Sequence, residues 1–163
     1  MKIEFVAAVD AAEIVAVPVF EDRALTPAGS ALDGKAGGAL TKAMSKGRFA
    51  GKAGQSLLIP APAGVDADAV LLIGAGDKAK LDDLAVEAFG GSAYGAVKLS
   101  GAEVLTIDAS DLTPEQAARV GFAARLAAYR FDKYRTTQKA DKIASITTVR
   151  IATTDLRGAC LLY

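Results

Sequence analysis

The chain has 163 residues, 52% of them hydrophobic, which is enough for one folded domain with a core and excludes a disordered protein. Its 19 Lys and Arg balance 19 Asp and Glu, so the whole chain has no electrostatic reason to bind nucleic acid or a membrane surface. The absence of His excludes a Ser-His-Asp triad and an HExxH zinc site, and the single Cys160 excludes an internal disulfide and fits a reducing cytoplasm.

The first part of the chain predicts two strands and the start of a helix. Residues 2–9 alternate apolar and polar side chains, as a half-buried strand does, and the acidic residues in this run are not typical of a signal peptide. Residues 14–20 form a denser apolar run, which predicts a strand covered on both faces, although Pro18 favours an edge position or a bulge. Thr26 and Pro27 are typical of a helix start. No apolar run reaches the roughly 20 residues of a membrane span, so no membrane partner is expected.

Beyond this point, helical and strand patterns alternate to the end of the chain. Helices are predicted at residues 27–33, 36–46 and 81–99, the last interrupted at Gly90 and Gly91, and again from Thr113. Strands are predicted at residues 57–59, 68–73, 103–108 and 145–152. This alternation favours an α/β fold with a mixed or mostly parallel sheet and helices on both faces.

A glycine turn is predicted after the strand at residues 68–73. The sequence VLLIGAG at residues 70–76 could bring backbone N–H groups to a phosphate. The G-x-G-x-x-G fingerprint is incomplete, because Ala79 occupies the position of its third glycine. The simpler interpretation is a strand-to-helix turn in which a glycine adopts positive φ. Nucleotide binding at Gly74 and Gly76 therefore stays an alternative.

The helix that begins at Thr113 has a well-marked start and an unusual end. Thr113 and Gln116 have the spacing of a capping box, and the end runs into LAAYRFDKYRT at residues 126–136. Aromatic side chains give a large contact area and Arg gives forked donors, a combination typical of docking surfaces. The predicted contact residues with another domain are Arg130, Phe131, Asp132, Tyr134 and Arg135. The alternative is that these residues finish the helix and anchor it to the core of their own domain.

The same region has a local excess of positive charge. Seven Lys and Arg face two Asp between Arg125 and Arg150. Such an excess is the basis for a second alternative, a DNA-binding accessory domain. Cations near a helix C-terminus are favourable in any case, and no helix with the pattern of a base-reading element is visible.

Three stretches resemble the N-terminal domain of the leucine (cytosol) aminopeptidase family of metallopeptidases. They occur in the family's order: GRFAGKAG at residues 47–54, preceded by Leu32 and Asp33; VLLIGAGDK at residues 70–78; and GFAARLAAYRFDKYRT at residues 121–136. The resemblance implies a three-layer α/β/α fold with a mixed, mostly parallel, macro-domain-like sheet. It implies one domain at residues 1–155 and a non-matching tail at residues 156–163. An artificial boundary, a frame change or a truncated gene would account for that tail.

The resemblance also implies what this chain does and does not do. The full-length family enzymes look like cytoplasmic hexamers that remove N-terminal amino acids from peptides with two divalent metal ions, Zn or Mn. Their metal ligands belong to a separate catalytic domain, so no catalytic, cofactor-binding or metal-binding residue is expected here, and this chain alone is predicted to be inactive. Residues 153–158 echo the metal-ligand motif but lack its glutamate. The expected role is packing on the catalytic domain, assembly and control of substrate access. The alternatives are a macro-like module that binds a nucleotide or ADP-ribose, and the DNA-binding accessory domain.

Overall fold

A computed structural model describes residues 1–9, 12–129 and 144–162. Its strands are β1 (Lys2–Val6), β2 (Ala12–Phe20), β3 (Ala24–Leu25), β4 (Ser56–Pro60), β5 (Ala67–Gly76), β6 (Val104–Asp108) and β7 (Thr148–Ala152). Its α-helices are α1 (Pro27–Lys35), α2 (Ala39–Lys46), α3 (Asp83–Val97), α4 (Pro114–Ala128) and α5 (Leu156–Leu162). Short 3-10 turns lie at Glu21–Arg23 and Lys78–Lys80.

The strands form one mixed sheet in the order β1-β7-β6-β2-β5-β4. Five neighbouring strands of this sheet are parallel to one another: β1, β7, β6, β2 and β5. At the edge, β4 pairs antiparallel with β5, and the short β3 pairs antiparallel with the end of β2. Helices α3, α4 and α5 cover one face, and α1 and α2 cover the other. The predicted three-layer α/β/α architecture with a mostly parallel sheet is confirmed.

Alternate residues of the central strands enter two separate cores. On β2, Ile14 and Ala16 pack with α3 and α4, whereas Val15 and Val17 pack with α2 and Phe49. Burial on both faces explains why the strand pattern is a continuous apolar run rather than an alternation. The sequence predicts that Pro18 lies either in an edge strand or at a bulge. Strand β2 is not an edge strand, but a bulge follows Pro18 between Val19 and Phe20. The pairing of β2 with β6 stops at Ala16, so Pro18 lies where a missing N–H is tolerated.

Two glycine predictions are wrong, and close packing explains both. The chain does not turn at Gly74, because β5 continues to Gly76. A Cβ at Gly74 would lie 2.0 Å from the carbonyl oxygen of Lys52, so the strand needs glycine there to let the loop at residues 47–55 approach. Helix α3 is not interrupted at Gly90 or Gly91. A Cβ at Gly90 would lie 2.5 Å from the carbonyl oxygen of Val120 on α4, so this glycine lets two helices touch.

The start of α4 forms as predicted. The Thr113 hydroxyl accepts a hydrogen bond from the N–H of Gln116 at 3.2 Å, and the Gln116 side chain accepts one from the N–H of Thr113 at 3.1 Å. Ala117, Val120 and Ala124 then lie on the buried face of the helix. The capping box therefore fixes where the helix begins, and small side chains allow it to lie close to α3 and the sheet.

We expect Gly90→Ala to destabilise the domain by roughly 1–3 kcal/mol, because its methyl group would push α4 away from α3. Gly95→Ala in the same helix is the matched control, since no atom lies within 4 Å of its Cβ position. That change should be neutral or stabilising by up to about 1 kcal/mol through helix propensity. Urea unfolding of the two variants provides the measurement. Equal stability of the two variants would show that α3 and α4 do not meet at Gly90.

Candidate functional site

Two regions of the surface place charged side chains next to apolar ones. The first region is centred on Arg119. From α4, the Arg119 guanidinium lies 3.0 Å from Asp83, 3.0 Å from Glu87 and 3.6 Å from Glu115. Its hydrogen bond to Glu87, together with the charges of Asp83 and Glu115, raises the pKa of Arg119 further above its ordinary high value. Partly exposed pairs of this kind add little to folding stability. Three carboxylates against one guanidinium make this surface locally acidic.

Apolar side chains border this acidic cluster. Phe122 is 51% exposed, and Leu126 and Tyr129 follow it at helical spacing along α4. Helix α5 adds the exposed Leu161 and Leu162. A groove of about 240 Å³, here called the α3–α5 groove, is lined by Glu87, Glu115, Ala118, Arg119, Phe122 and Leu162. Large apolar side chains gathered on a surface with a polar rim mark interaction sites.

Helix α5 is held in place at the start of α4. The Asp155 carboxylate accepts a hydrogen bond from the N–H of Gly158 at 2.9 Å, and Ala159 is fully buried. A Cβ at Gly158 would lie 2.9 Å from the Cβ of Pro114, so the two helix starts touch. Of the predicted tail at residues 156–163, the described part, helix α5, thus packs on the domain. The domain boundary at residue 155 stays a prediction.

The residues predicted from sequence to contact another domain, Arg130, Phe131, Asp132, Tyr134 and Arg135, lie outside the described residues. In the sequence they follow directly on Tyr129. Sequence reasoning missed Phe122 and Leu126. Their four-residue spacing, off the buried face of Ala117, Val120 and Ala124, was a signal that could have found them.

The second surface is a cleft at the carboxyl ends of β2 and β6, here called the carboxyl-edge cleft. Asp108, the last residue of β6, is only 5% exposed. Its Oδ1 accepts hydrogen bonds from the N–H of Ser110 at 3.1 Å and from the Ser110 hydroxyl. Burial raises the pKa of Asp108, the hydrogen bonds from Ser110 oppose that shift, and the charge of Asp111 adds to it. No cation lies within ion-pair distance of Asp108 in the part of the chain that the structure describes.

Two cavities meet at Asp108. The smaller has a volume of about 80 Å³ and is lined by Pro18, Phe20, Thr26, Pro27, Lys78, Leu81, Asp108, Ala109, Asp111 and Leu112. The larger, about 290 Å³, is lined by Ala7, Ala8, Val9, Val15, Ala28, Ala31, Leu32, Lys35, Asp108, Ser110 and Ala152. Lys78 lies over the Phe20 ring, with Nζ 5.7 Å from the ring centre. The crevice beyond the carboxyl ends of parallel strands is where open α/β sheets bind ligands.

The glycines at the end of β5 are not free to hold a phosphate. The N–H of Gly74 donates to the carbonyl oxygen of Gln55 at 2.8 Å, and the N–H of Gly76 donates to that of Gly51 at 3.0 Å. The loop at residues 47–55 therefore uses the donors that a phosphate would need. In this loop Phe49 is buried in the core, whereas Arg48 and Lys52 are exposed.

The described residues do not fit the two-metal site that the family resemblance implies for full-length enzymes. Across residues 1–9, 12–129 and 144–162, no three His, Cys, Asp or Glu side chains come together as metal ligands. Within the same ranges, every helix is too short or too polar to cross a bilayer.

Comparison with known proteins gives concordant results. Residues 16–138 match the family model described as the cytosol aminopeptidase family, N-terminal domain. A probable cytosol aminopeptidase of Caulobacter vibrioides is 45% identical over 158 residues, which cover 95% of this chain and 32% of that protein. A solved mutant of tomato leucine aminopeptidase aligns with a TM-score of 0.78 and 20% identity over 99% of this chain and 35% of its own. An Oceanobacillus iheyensis macrodomain mutant with ADPR aligns with a TM-score of 0.70 and 11% identity over 98% of this chain and 89% of its own.

The two structural likenesses show the fold and confirm its macro-like character. The chain spans about a third of the length of the curated relative from Caulobacter. The family model covers most of the chain, and the sequence identity to that relative is high over nearly all of it. The chain therefore belongs to the cytosol aminopeptidase family, in which it corresponds to the N-terminal domain.

Proposed function

We propose that this domain packs on the catalytic part of a leucyl aminopeptidase through the α3–α5 groove, and that it shapes assembly and substrate access there. The observation that carries the proposal is the exposed apolar face of Phe122, Leu126 and Leu162 beside the acidic cluster around Arg119. An apolar face of this kind is costly to leave in water, and burial against another domain removes that cost.

The position of the groove supports the proposal. In the family, the matched region is the N-terminal domain, so the larger part of each relative follows it in sequence. Helix α5 closes the described part of this chain, and its Leu162 lines the groove. Arg119 and Phe122, which line the groove, lie within the region that matches the family model. The contact residues predicted from sequence begin at Arg130, directly after Tyr129 in the chain.

The names of the relatives indicate the reaction that we propose for the whole enzyme. A cytosol aminopeptidase removes N-terminal residues from peptides, and the family's two divalent ions, Zn or Mn, would bind in the catalytic part. The word cytosol in the relatives' names supports a cytoplasmic location. The proposal of a homo-oligomer, a hexamer, comes from the family resemblance alone. The described residues of this domain supply the contact surface and no reacting group.

The two alternatives have weaker support. Of the cations between Arg125 and Arg150, Arg150 is held by Glu4 at 3.2 Å across β1 and β7, and Arg125 also has an interaction partner. The surface beside α4 is acidic, which disfavours DNA. A macro-like phosphate site lacks free N–H donors at Gly74 and Gly76.

This chain alone should not hydrolyse a leucine chromogenic substrate with added Mn²⁺ or Zn²⁺. The catalytic part of the Caulobacter relative, purified separately, should change its activity or its assembly state when this chain is added in excess. The measurement is the initial rate and the sedimentation profile with and without the chain, and an equal amount of an unrelated domain is the control. Metal-dependent turnover by this chain alone would contradict the proposal.

Replacement of Phe122 by Asp should weaken association with that catalytic part by roughly 5- to 30-fold, as loss of an interface anchor does. Leu99→Asp is the matched control, because Leu99 is 55% exposed and lies outside the residues that line the groove. Titration calorimetry measures both variants, and Tyr134→Ala tests the contact predicted from sequence. Equal losses for the Phe122 and Leu99 variants would exclude the α3–α5 groove as the contact.

A further inference from the structure

We propose that the carboxyl-edge cleft binds a primary ammonium group carried on a short aliphatic chain, with Asp108 as the receptor for the charge. This site is independent of the α3–α5 groove and of contact with a catalytic domain. Its basis is a cleft whose two chambers share one buried carboxylate.

The first step is the state of the Asp108 side chain. Both of its hydrogen bonds, from the N–H and the hydroxyl of Ser110, go to Oδ1. Oδ2 has no hydrogen-bond partner in the described part of the chain, and the residue lines both chambers. The residue is only 5% exposed, yet its unpartnered Oδ2 reaches the open space of the cleft, where it has free acceptor capacity for a ligand.

The second step concerns the backbone donors at the start of α1. Lys78 lines the smaller chamber and Lys35 the larger, so these donors, and not the net charge of the lining, bear on whether an anion binds. Helix α1 begins beside Asp108, and a helix start usually attracts phosphate or carboxylate ligands. Here its N–H groups are already used: that of Ala28 donates to Asp111 at 3.2 Å, and that of Gly29 donates to the Thr26 hydroxyl at 3.0 Å. Asp111 thus occupies the place of an anion and adds a second negative charge to the cleft wall. The remaining free acceptor is Asp108, which calls for a hydrogen-bond donor.

The third step concerns the size and polarity of the ligand. The larger chamber, about 290 Å³, is walled mostly by alanines and by Val9, Val15 and Leu32. Small-molecule sites are typically apolar with a few polar groups that fix orientation, and their volumes start at roughly 300 Å³. The start of α1 offers the phosphate of a nucleotide no free N–H at Ala28 or Gly29. A primary ammonium provides three donors and a positive charge, and a chain of a few carbons suits the alanine wall.

The probe is n-butylammonium chloride, titrated into the purified chain at pH 7 and followed by NMR chemical shifts. We expect saturable binding with a dissociation constant on the order of 1 mM, reasonable for so small a ligand. The neutral isostere n-butanol should bind at least tenfold more weakly, because it lacks the charge, and sodium chloride controls for ionic strength. Equal binding of butanol would show that only the aliphatic wall is recognised, and absence of saturation would overturn the site.

Asp108→Asn keeps the acceptor for Ser110 but removes the charge, so it should weaken butylammonium binding at least tenfold. Asp68→Asn is the matched control, because Asp68 is an exposed carboxylate near the amino end of β5, away from the cleft. This variant should bind butylammonium as tightly as the parent chain does. Undiminished binding to the Asp108 variant would assign the ammonium elsewhere. The comparison of butylammonium with butanol on the unchanged chain decides the proposal even where the variant does not fold.

A pH series on the ligand-free chain gives an independent readout. Burial raises the pKa of Asp108, so the folded state binds a proton more tightly than the unfolded state. Asp108 therefore contributes to the free energy of unfolding when pH is below its pKa in the unfolded chain. This contribution is lost as pH rises through its higher pKa in the folded chain. The charged groups facing Asp108 are Asp111, Lys78 and Lys35. The measured quantity is the melting temperature of Asp108→Asn minus that of the parent chain. This difference should increase as pH rises from the unfolded pKa of Asp108 to its folded pKa, and should then stay constant. A difference that does not change with pH would show that burial does not destabilise the charged form of Asp108.

Discussion

Burial of β2 and β5 on both faces is the constraint on which the rest of the structure depends. These adjacent parallel strands place Val15 against Val70 and Val17 against Leu72 in register, with no polar side chain between them. Helices must then cover both sides, which produces the three layers. Apolar side chains fill the middle of β2 and β5, and the two clusters of charged groups described above lie at a strand end and on an outer helix. Asp108 and the Arg119 cluster occupy those two kinds of position.

Local patterns predicted the elements well where local physics decides them. The capping box of Thr113 and Gln116 and the apolar run of β2 need no distant partner to be recognised. The glycines behaved otherwise. Gly74 stays in a strand because Lys52 lies against it, and Gly90 stays in a helix because Val120 does. A glycine costs a helix only about 1 kcal/mol, so a tertiary contact outweighs its tendency to break the element.

The candidate sites were less predictable because they depend on contacts between distant parts of the chain. Asp108 reads as an ordinary strand-end carboxylate until α1 is brought beside it, a contact seen in the bond from Ala28 to Asp111 across 83 positions. The α3–α5 groove needs Leu162 next to Phe122, which no periodicity shows. The aromatic segment after Tyr129 was identified from composition, whereas the described apolar surface lies on the helix before it. The sequence shows the type of each side chain, but it does not show which distant side chains lie next to one another in the fold.

The likeness to macrodomains is a likeness of fold. The layers and the crevice at the carboxyl edge are common to this architecture. In this chain, however, backbone donors at that edge are already bound to protein acceptors: Asp111 and Thr26 hold the start of α1, and the loop at residues 47–55 holds the end of β5. Each of these bonds stabilises the fold and at the same time removes a donor from the cleft. Because the backbone donors at this edge are taken, the polar contacts that the cleft can offer a ligand come from side chains, among them Asp108, Asp111, Lys35 and Lys78.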